Sequence, residues 1–270
     1  MQRGQISRCL VRPCARGILL CLRALVGIRS RRIEERREPM LSLSDARHVR
    51  RLVAGFCLMA APIILLFGAL VHPQSEDDAA AHLAVVAENP ERYYAAHAII
   101  LTGLALFIPA ILGLMHLLRQ SATAFGLVGG GLAMIGLLGA TAVVAVDGIV
   151  ISQMAQPDAN LEEMAGLLDR IKESAGLAAI ARTGAIALLL GMLLLAYGAW
   201  RAQAVRPWLA GGIAAAAIAF LVGQVTDNRL VFAIAFATYL AALGPLGWRI
   251  LAESDEEWAA ELGRPAGSGR

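Results

Sequence analysis

Six apolar runs, each about as long as a bilayer-spanning helix, constrain this chain more than any other feature. Charged or polar stretches separate them, and they cover residues 52–72, 96–118, 125–151, 177–200, 207–224 and 230–251. A helix of about 20 residues crosses the ~30 Å hydrocarbon core of a bilayer. Lipid offers the backbone no hydrogen-bond partners, so runs of this length must be helical. The sequence therefore predicts an all-α, polytopic helical membrane protein with six transmembrane helices.

Charged residues lie mainly outside these runs and predict how the helices are oriented. They make up only 17% of the chain, against about a quarter in soluble domains. Thirteen arginines precede Leu52, whereas the segments on the opposite side hold only Arg92, Arg170, Lys172 and Arg229. Because arginine-rich segments stay in the cytoplasm, we expect both termini to be cytoplasmic (N-in/C-in). The arginine-rich, lysine-poor composition favours a bacterial protein of the cell (inner) membrane.

The chain divides into three segments by charge and hydropathy. Residues 1–48 are basic and expected to be disordered, residues 49–252 form the membrane domain, and residues 253–270 form an acidic, flexible cytoplasmic tail. The first segment has three open interpretations: a basic helix on anionic lipid, an organellar transit peptide, or a stretch upstream of a true start at Met40. It precedes a membrane span and lacks interleaved aromatic residues, so we expect no nucleic-acid partner.

Two charged side chains, Asp147 and Arg182, lie clearly inside predicted spans, away from the inner boundary where Arg249 lies. At 1.5 Å per residue both fall about 6–8 Å below the outer boundary, on consecutive antiparallel helices. A charge in hydrocarbon costs at least about 2.5 kcal/mol, so such groups usually pair or face water. The two are therefore predicted to form an intramembrane ion pair. It would act either as a gate, proton relay or substrate-binding pair, or as a structural clasp between the third and fourth spans.

Three further polar residues share this depth near the outer boundary. His97 opens the second span, Gln224 closes the fifth, and Asp227 follows it. With Asp147 and Arg182 they are predicted to line a polar pocket that opens to the outside. The alternative, for His97 and Asp227 taken singly, is that they are boundary residues solvated by lipid headgroups.

Histidines on the outer side are the candidate ligands for a metal or a cofactor. His72, His82 and His97 lie near the carboxylates of the first outer loop, but their spacing matches no recognised ligand pattern. His72 and His97 alone approach the arrangement of two axial haem ligands. We therefore expect no metal site and no cofactor. The second alternative function, a membrane redox protein, depends only on His72 and His97.

Catalytic signatures are missing from the sequence. It contains no Ser/His/Asp set, no H-E-x-x-H motif, no phosphate loop and no nucleotide fingerprint. This favours a non-enzymatic protein and assigns no catalytic residue.

The outer loops and the third span indicate where partners would bind. In residues 152–176, apolar residues recur at helical spacing behind Asp158 and Asn160, which predicts a capped amphipathic helix on the outer surface. The acidic outer loops or the C-terminal tail are the expected surfaces for a protein partner. In the glycine-rich third span, Gly126 and Gly130 permit close helix contact. We expect that contact within the chain, and the alternative is a homo-oligomer formed through this span.

Several local features bear a likeness to known sequences. Residues 52–55 open the first span, Tyr93, Tyr94 and His97 mark the outer start of the second, and residues 108–114 run through it. With these features the chain resembles uncharacterised six-span membrane proteins of actinobacteria and related bacteria. The resemblance implies a multi-pass fold and carries no mechanism. The leading hypothesis is a small transport or sensing module with an outward-facing polar pocket, and the first alternative is a structural or regulatory partner protein.

Overall fold

The structure, a computed structural model, describes residues 46–74, 76–255 and 258. Residues 1–45 of the predicted basic segment lie outside the described residues. The regular secondary structure of the described part is helical: α1 (Ala46–Val71), α2 (Ala79–Glu88), α3 (Pro90–Leu118), α4 (Thr123–Met154), α5 (Leu161–Lys172), α6 (Ala175–Arg201), α7 (Pro207–Thr226) and α8 (Arg229–Ala252). Near its end α4 contains a π-helical stretch, Val146–Ile151.

Six of these helices, namely α1, α3, α4, α6, α7 and α8, are long and apolar enough to cross a membrane. The predicted all-α, six-span fold is confirmed, and the chain is a multi-pass helical membrane protein. Some helices begin before the apolar runs do, because polar residues cap them. The Asn89 side chain accepts a hydrogen bond from the backbone N–H of Arg92 at 2.9 Å, and α3 therefore starts at Pro90.

The six spanning helices form a closed ring. Each packs against the next spanning helix along the chain, and α8 returns to pack against α1. Every one of them contributes an almost completely buried side chain to the shared core: Leu58, Ile111, Leu137, Met192, Ile213 and Leu243. Large apolar side chains also face outward, including Phe56, Phe67, Leu138 and Ile234. A ring that is apolar inside and outside suits a lipid environment.

Helices α4 and α6 approach each other along a seam of glycines. A Cβ atom at Gly139 would lie 2.9 Å from the Cα atom of Gly184, and one at Gly191 would lie 2.6 Å from the carbonyl oxygen of Gly129. Backbones this close leave no room for side chains, so the seam depends on glycine. The two glycines of the predicted close-contact pair face α3 of the same chain instead: Gly126 and Gly130.

Helices α1 and α8 are joined at the end of the ring that carries Ala46 and Ala252, here called the terminal end. The guanidinium group of Arg51, only 8% exposed, donates from Nε to the Asp255 carboxylate at 2.7 Å. Its Nη1 donates to the carbonyl oxygens of Ile250, Leu251 and Glu253. The last carbonyls of a helix have no intrahelical partners, so this arginine caps α8. The contact places both ends of the bundle on one side, as an even number of spans requires.

The start of the predicted flexible tail is packed against the bundle. Asp255 also lies 2.8 Å from Nδ1 of His48. Trp258 is 4% exposed and stacks on His116 with ring centres 4.4 Å apart. The acidic composition of the tail suggested flexibility. Composition alone does not reveal that Arg51 binds Asp255 or that His116 stacks on Trp258. The other residues after Asp255 lie outside the described part of the chain.

Acidification should release this anchored segment. The hydrogen bond from Arg51, more than any other contact, lowers the pKa of Asp255 below its usual range. A lowered pKa means that the carboxylate stabilises the docked segment above the ordinary aspartate pKa of about 3.9 and that this contribution is lost as the pH falls through the lowered value. With Trp200, Trp208 and Trp248 replaced by Phe, we expect Trp258 fluorescence to stay constant from neutral pH down to about 5 and then to shift to the red.

The control for this titration is the Asp255→Asn variant in the same background. Its Trp258 emission should already be red-shifted at neutral pH and should change little on acidification. An identical acid transition in both proteins would contradict the role given to Asp255.

The opposite end of the ring, here called the loop end, carries α2 and α5. The two helices pack against each other and against the ends of α3 and α4, forming a second apolar core: Ala79, Leu83, Val86, Tyr93, Ile151, Met154, Ala155, Ala165 and Leu168. Helix α5 lies where an amphipathic helix was predicted, and Asn160 caps it by accepting from the N–H of Glu162 at 3.2 Å. The apolar face of α5 packs against other parts of the protein, so α2 and α5 together cover the loop end of the bundle.

Candidate functional site at the loop end

A cavity of about 190 Å³ lies at the loop end between the spanning helices and the two loop helices. Its deeper wall is apolar and includes Leu104, Phe220 and Phe236. The remaining wall carries polar side chains from α2, α3, α4, α5, α7, α8 and the connecting segments: His72, Glu76, His82, Tyr93, His97, Asp147, Lys172, Gln224, Asp227 and Arg229. The fold therefore gathers chemically active groups that are far apart in the sequence.

Four of the five predicted pocket residues line this cavity: His97, Asp147, Gln224 and Asp227. Arg182 does not. It is exposed on α6, a helix that contributes no side chain to the cavity wall, and within the described residues it forms no ion pair with Asp147. The reason is the direction in which Arg182 points from the axis of α6. Gly184 faces α4, and a residue two positions away on a helix points about 200° from it.

His72 and His97 face each other inside the cavity. Their Nε2 atoms are 3.4 Å apart, and their ring centres are 4.7 Å apart with the rings edge to face. The Nδ1 atom of His72 lies 2.6 Å from the carbonyl oxygen of Pro73, and that of His97 lies 2.9 Å from the carbonyl oxygen of Tyr93. A carbonyl oxygen can only accept, so both Nδ1 atoms carry hydrogen and both neutral rings have their lone pair on Nε2.

His82 has the opposite tautomer. Its Nδ1 accepts from the backbone N–H of Glu76 at 3.3 Å, so its Nε2 carries the hydrogen and donates to the Tyr93 hydroxyl, also at 3.3 Å. Burial, and to a smaller extent the charge of Lys172, lower the pKa of His82, which keeps the ring neutral at pH 7. Both ring nitrogens are thus engaged, and His82 holds Tyr93 in place without a free lone pair.

The end of α4 is shaped around His97. A Cβ atom at Gly148 would lie 2.7 Å from Cγ of the His97 ring, so only glycine lets α4 approach α3 here. Gly148 lies in the π-helical stretch, as does Asp147, which lines the cavity. Such widened turns often occur at functional sites because they change the direction of a side chain relative to a regular helix. The local geometry therefore places a carboxylate and an imidazole on the same cavity.

The charges around the cavity favour a cation. Three carboxylates line it, from Glu76, Asp147 and Asp227, against two cationic side chains, Lys172 and Arg229. Asp227 ends α7 in the left-handed conformation (φ 43°), which aspartate tolerates better than most residues. The imidazole lone pairs add further electron-rich groups to this excess of carboxylates.

The sequence did not identify Glu76, Tyr93, Lys172 and Arg229 as site residues. Tyr93 served only as a boundary marker, although its spacing of four from His97 puts both on one face of α3. The other three look like ordinary loop and boundary charges. Nothing local in the sequence distinguishes them, because the folding of both loops over the bundle brings them to the cavity.

The candidate metal ligands are brought to one place but do not form a complete metal site. Among the described residues, no group of three or more His, Cys, Asp or Glu side chains is arranged to hold a metal ion. The two convergent rings also do not suit haem. Axial ligands oppose each other across the ring plane with nitrogens about 4 Å apart, whereas these rings meet edge to face at 3.4 Å.

No family model, curated protein or solved structure matches this chain.

Proposed function

We propose that this chain is a small transport or sensing module of the cell (inner) membrane that receives a small cationic solute in the loop-end cavity. One observation carries the proposal: polar side chains from α3, α4, α7, α8 and both loops converge on a single cavity. Three of these side chains, His82, Tyr93 and His97, are buried, and burying polar groups in a membrane protein costs free energy. A bundle held together by apolar packing has no structural need for such a cluster, which supports a role in binding.

The distribution of arginines supports an outward orientation for the cavity. Arg119, Arg201, Arg206 and Arg249 lie at the terminal end of the bundle, where α1 also begins with Arg47, Arg50 and Arg51. Loops rich in arginine and lysine next to membrane spans are retained in the cytoplasm. In our proposal the terminal end and both termini are cytoplasmic, and the cavity opens to the outside.

The shape of the cavity supports a receiving site rather than an open pore. Phe220 and Phe236 lie at its wall, and the bundle beyond them is filled by the shared apolar core. A solute that enters from the loop end therefore meets a closed core. Further passage would require the helices to rearrange, as in a transporter, whereas a sensor would respond to occupancy itself.

Labelling of the cavity from outside tests this proposal. Gln224 is an exposed residue at the cavity wall. In a background with all four native cysteines replaced by serine, we expect the Gln224→Cys variant to react with a membrane-impermeant maleimide on intact cells. Gln120→Cys, at the terminal end between α3 and α4, is the matched control. It should react only after the cells are permeabilised.

The same proposal requires that a cation occupies the cavity. The melting temperature of the purified protein should rise with at least one cation from a panel of Na⁺, K⁺, Mg²⁺, Ca²⁺, Mn²⁺ and Zn²⁺ at constant ionic strength, because a ligand that binds only the folded state stabilises it. The Asp147→Asn variant should show a smaller rise than Asp158→Asn, whose side chain lies outside the cavity. Reversed labelling, or no stabilisation by any cation, would refute the proposal.

A further inference from the structure

The facing nitrogens of His72 and His97 lack a partner that they need. Each Nδ1 donates to a backbone carbonyl oxygen, so each Nε2 presents a lone pair, and the two lone pairs are directed at one region of the cavity. In the described part of the chain, the only hydrogen-bonding contact of either Nε2 is the other Nε2. Two acceptors cannot satisfy each other. An electron-pair acceptor between the two rings would remove this conflict.

The separation of the two nitrogens matches that of two ligands on one tetrahedral metal ion. With metal–nitrogen bonds of about 2.0–2.1 Å, two tetrahedral ligands lie about 3.4 Å apart. The observed Nε2–Nε2 distance is 3.4 Å. Ring centres 4.7 Å apart show that the rings converge as neighbouring ligands do, rather than opposing each other. A shared proton fits less well, because N–H···N hydrogen bonds are usually shorter, near 3 Å.

The surroundings hold both rings in the ligating orientation. Histidines that bind metals almost always donate their other nitrogen to a carbonyl or carboxylate oxygen. Here the carbonyls of Pro73 and Tyr93 fill that role at 2.6 and 2.9 Å. Gly148 packs directly on the His97 ring, and the Tyr93 ring contacts both imidazoles, with centroid distances of 5.4 and 4.4 Å. Protein groups alone thus hold the pair in this orientation.

We propose that a divalent transition-metal ion of the zinc class binds between Nε2 of His72 and Nε2 of His97. Imidazole nitrogen is a ligand for such ions, whereas Mg²⁺ and Ca²⁺ prefer oxygen. The remaining coordination positions face the cavity, where water can occupy them and the carboxylates of Asp147 and Asp227 contribute negative charge. His82 is not a ligand, because both of its nitrogens are engaged.

This inference rests on the proposed function and names the class of cation that the cavity receives. Structural zinc sites are closed by four protein ligands. A site with two protein ligands and open positions holds its ion less tightly and allows exchange, which suits a solute that is taken up or sensed. The two histidines would therefore be the point at which the ion first loses part of its water shell.

Equilibrium metal binding by the full chain tests the inference. The protein, carrying a purification tag without histidine, is stripped with a chelator and titrated with ZnCl₂ by calorimetry, and with CoCl₂ by visible absorption. We expect one Zn²⁺ per chain in the cavity. His72→Ala and His97→Ala should each raise its Kd at least tenfold, whereas His116→Ala, at the terminal end, should leave it unchanged. Replacing Cys9, Cys14 and Cys21 with serine should also leave it unchanged.

Two results would overturn the inference. One is the absence of Zn²⁺ and Co²⁺ binding at micromolar concentrations, in which case the imidazoles share a proton instead. The other is binding that survives both histidine substitutions. If either variant fails to fold, X-ray absorption of the Zn²⁺-loaded wild type decides: two imidazole ligands support the site, and fewer than two refute it. Stabilisation by a different cation, together with outside labelling at position 224, would preserve the proposed function while removing this inference.

Discussion

Gly136→Ala is expected to destabilise the bundle severely, whereas Gly131→Ala on the same helix should be tolerated. A Cβ atom at Gly136 would lie 2.5 Å from Cβ and 2.6 Å from Cα of Leu188. The obstacle is the backbone of α6, so α4 and α6 would have to separate along their seam. Overpacking of this kind typically costs about 1–3 kcal/mol, and backbone-to-backbone contact places Gly136 at the upper end of that range.

Gly131 provides the matched control, because a Cβ atom there would meet nothing within 4 Å. Alanine also has the better helix propensity, by about 1 kcal/mol in water, so Gly131→Ala should melt at or above the temperature of the wild type. The melting temperatures of the two purified variants are measured by heating samples and recording, by size-exclusion chromatography, the fraction that remains folded. Equal melting temperatures for the two variants would show that the seam does not determine stability.

Arg51→Ala should be the second strongly destabilising change, at about 2–4 kcal/mol. It removes a guanidinium group that binds Asp255 and the carbonyls of the last turn of α8. The carbonyl oxygen of Ile250 would lose this partner at a buried position, and that of Leu251 at a partly buried one. Arg51→Lys should rescue little, because one ammonium group cannot reach these acceptors in the planar, forked geometry of a guanidinium.

The neighbouring Arg50 is the control for this substitution. It is exposed and donates from Nε to the carbonyl oxygen of Ala46 within its own helix, so Arg50→Ala should change stability by less than about 0.5 kcal/mol. Chemical denaturation in detergent, with Arg51→Ala and Arg50→Ala measured side by side, compares the two. Similar midpoints would mean that the contact between α1 and α8 contributes little.

Hydropathy predicted the spans because each membrane-spanning helix must be apolar by itself, whatever its neighbours are. A stretch such as 207–224 is apolar regardless of its neighbours, and the structure continues that helix only to Thr226. The depth of a residue in the membrane could also be predicted from the sequence, since it follows from counting residues along a span. It brought His97, Asp147, Gln224 and Asp227 to one level, and the structure places all four on one cavity.

The direction in which a side chain points was not accessible in this way. Asp147 and Arg182 share a depth, but Arg182 points away from the seam between its helix and α4. The π-helical stretch around Asp147 shifts the phase of α4 near its end, and no periodicity in this glycine-rich span signals that shift. An ion pair predicted from depth alone therefore depends on an angle that the sequence leaves open.

The contact between His72 and His97 is a second feature that could not be predicted from the sequence. His72 follows α1 and His97 lies in α3, and the loop between them carries its own helix. Known metal motifs have short, regular spacing because one local element supplies several ligands. Here the contact depends on how α1 packs against α3 and on backbone carbonyls at Pro73 and Tyr93. Only the packed structure reveals which ring nitrogens are free.

The closure of the ring by α8 also sets an order of events during biogenesis. Helix α8 lies between α7 and α1, and Arg51 binds the carbonyls that end it. A nascent chain grows from its N-terminus, so α1 enters the bilayer long before residues 229–255 have left the ribosome. We expect the flank of α1 to remain open to lipid until translation ends. A chain truncated before Arg229 would then expose an incomplete crescent of five helices to membrane quality control.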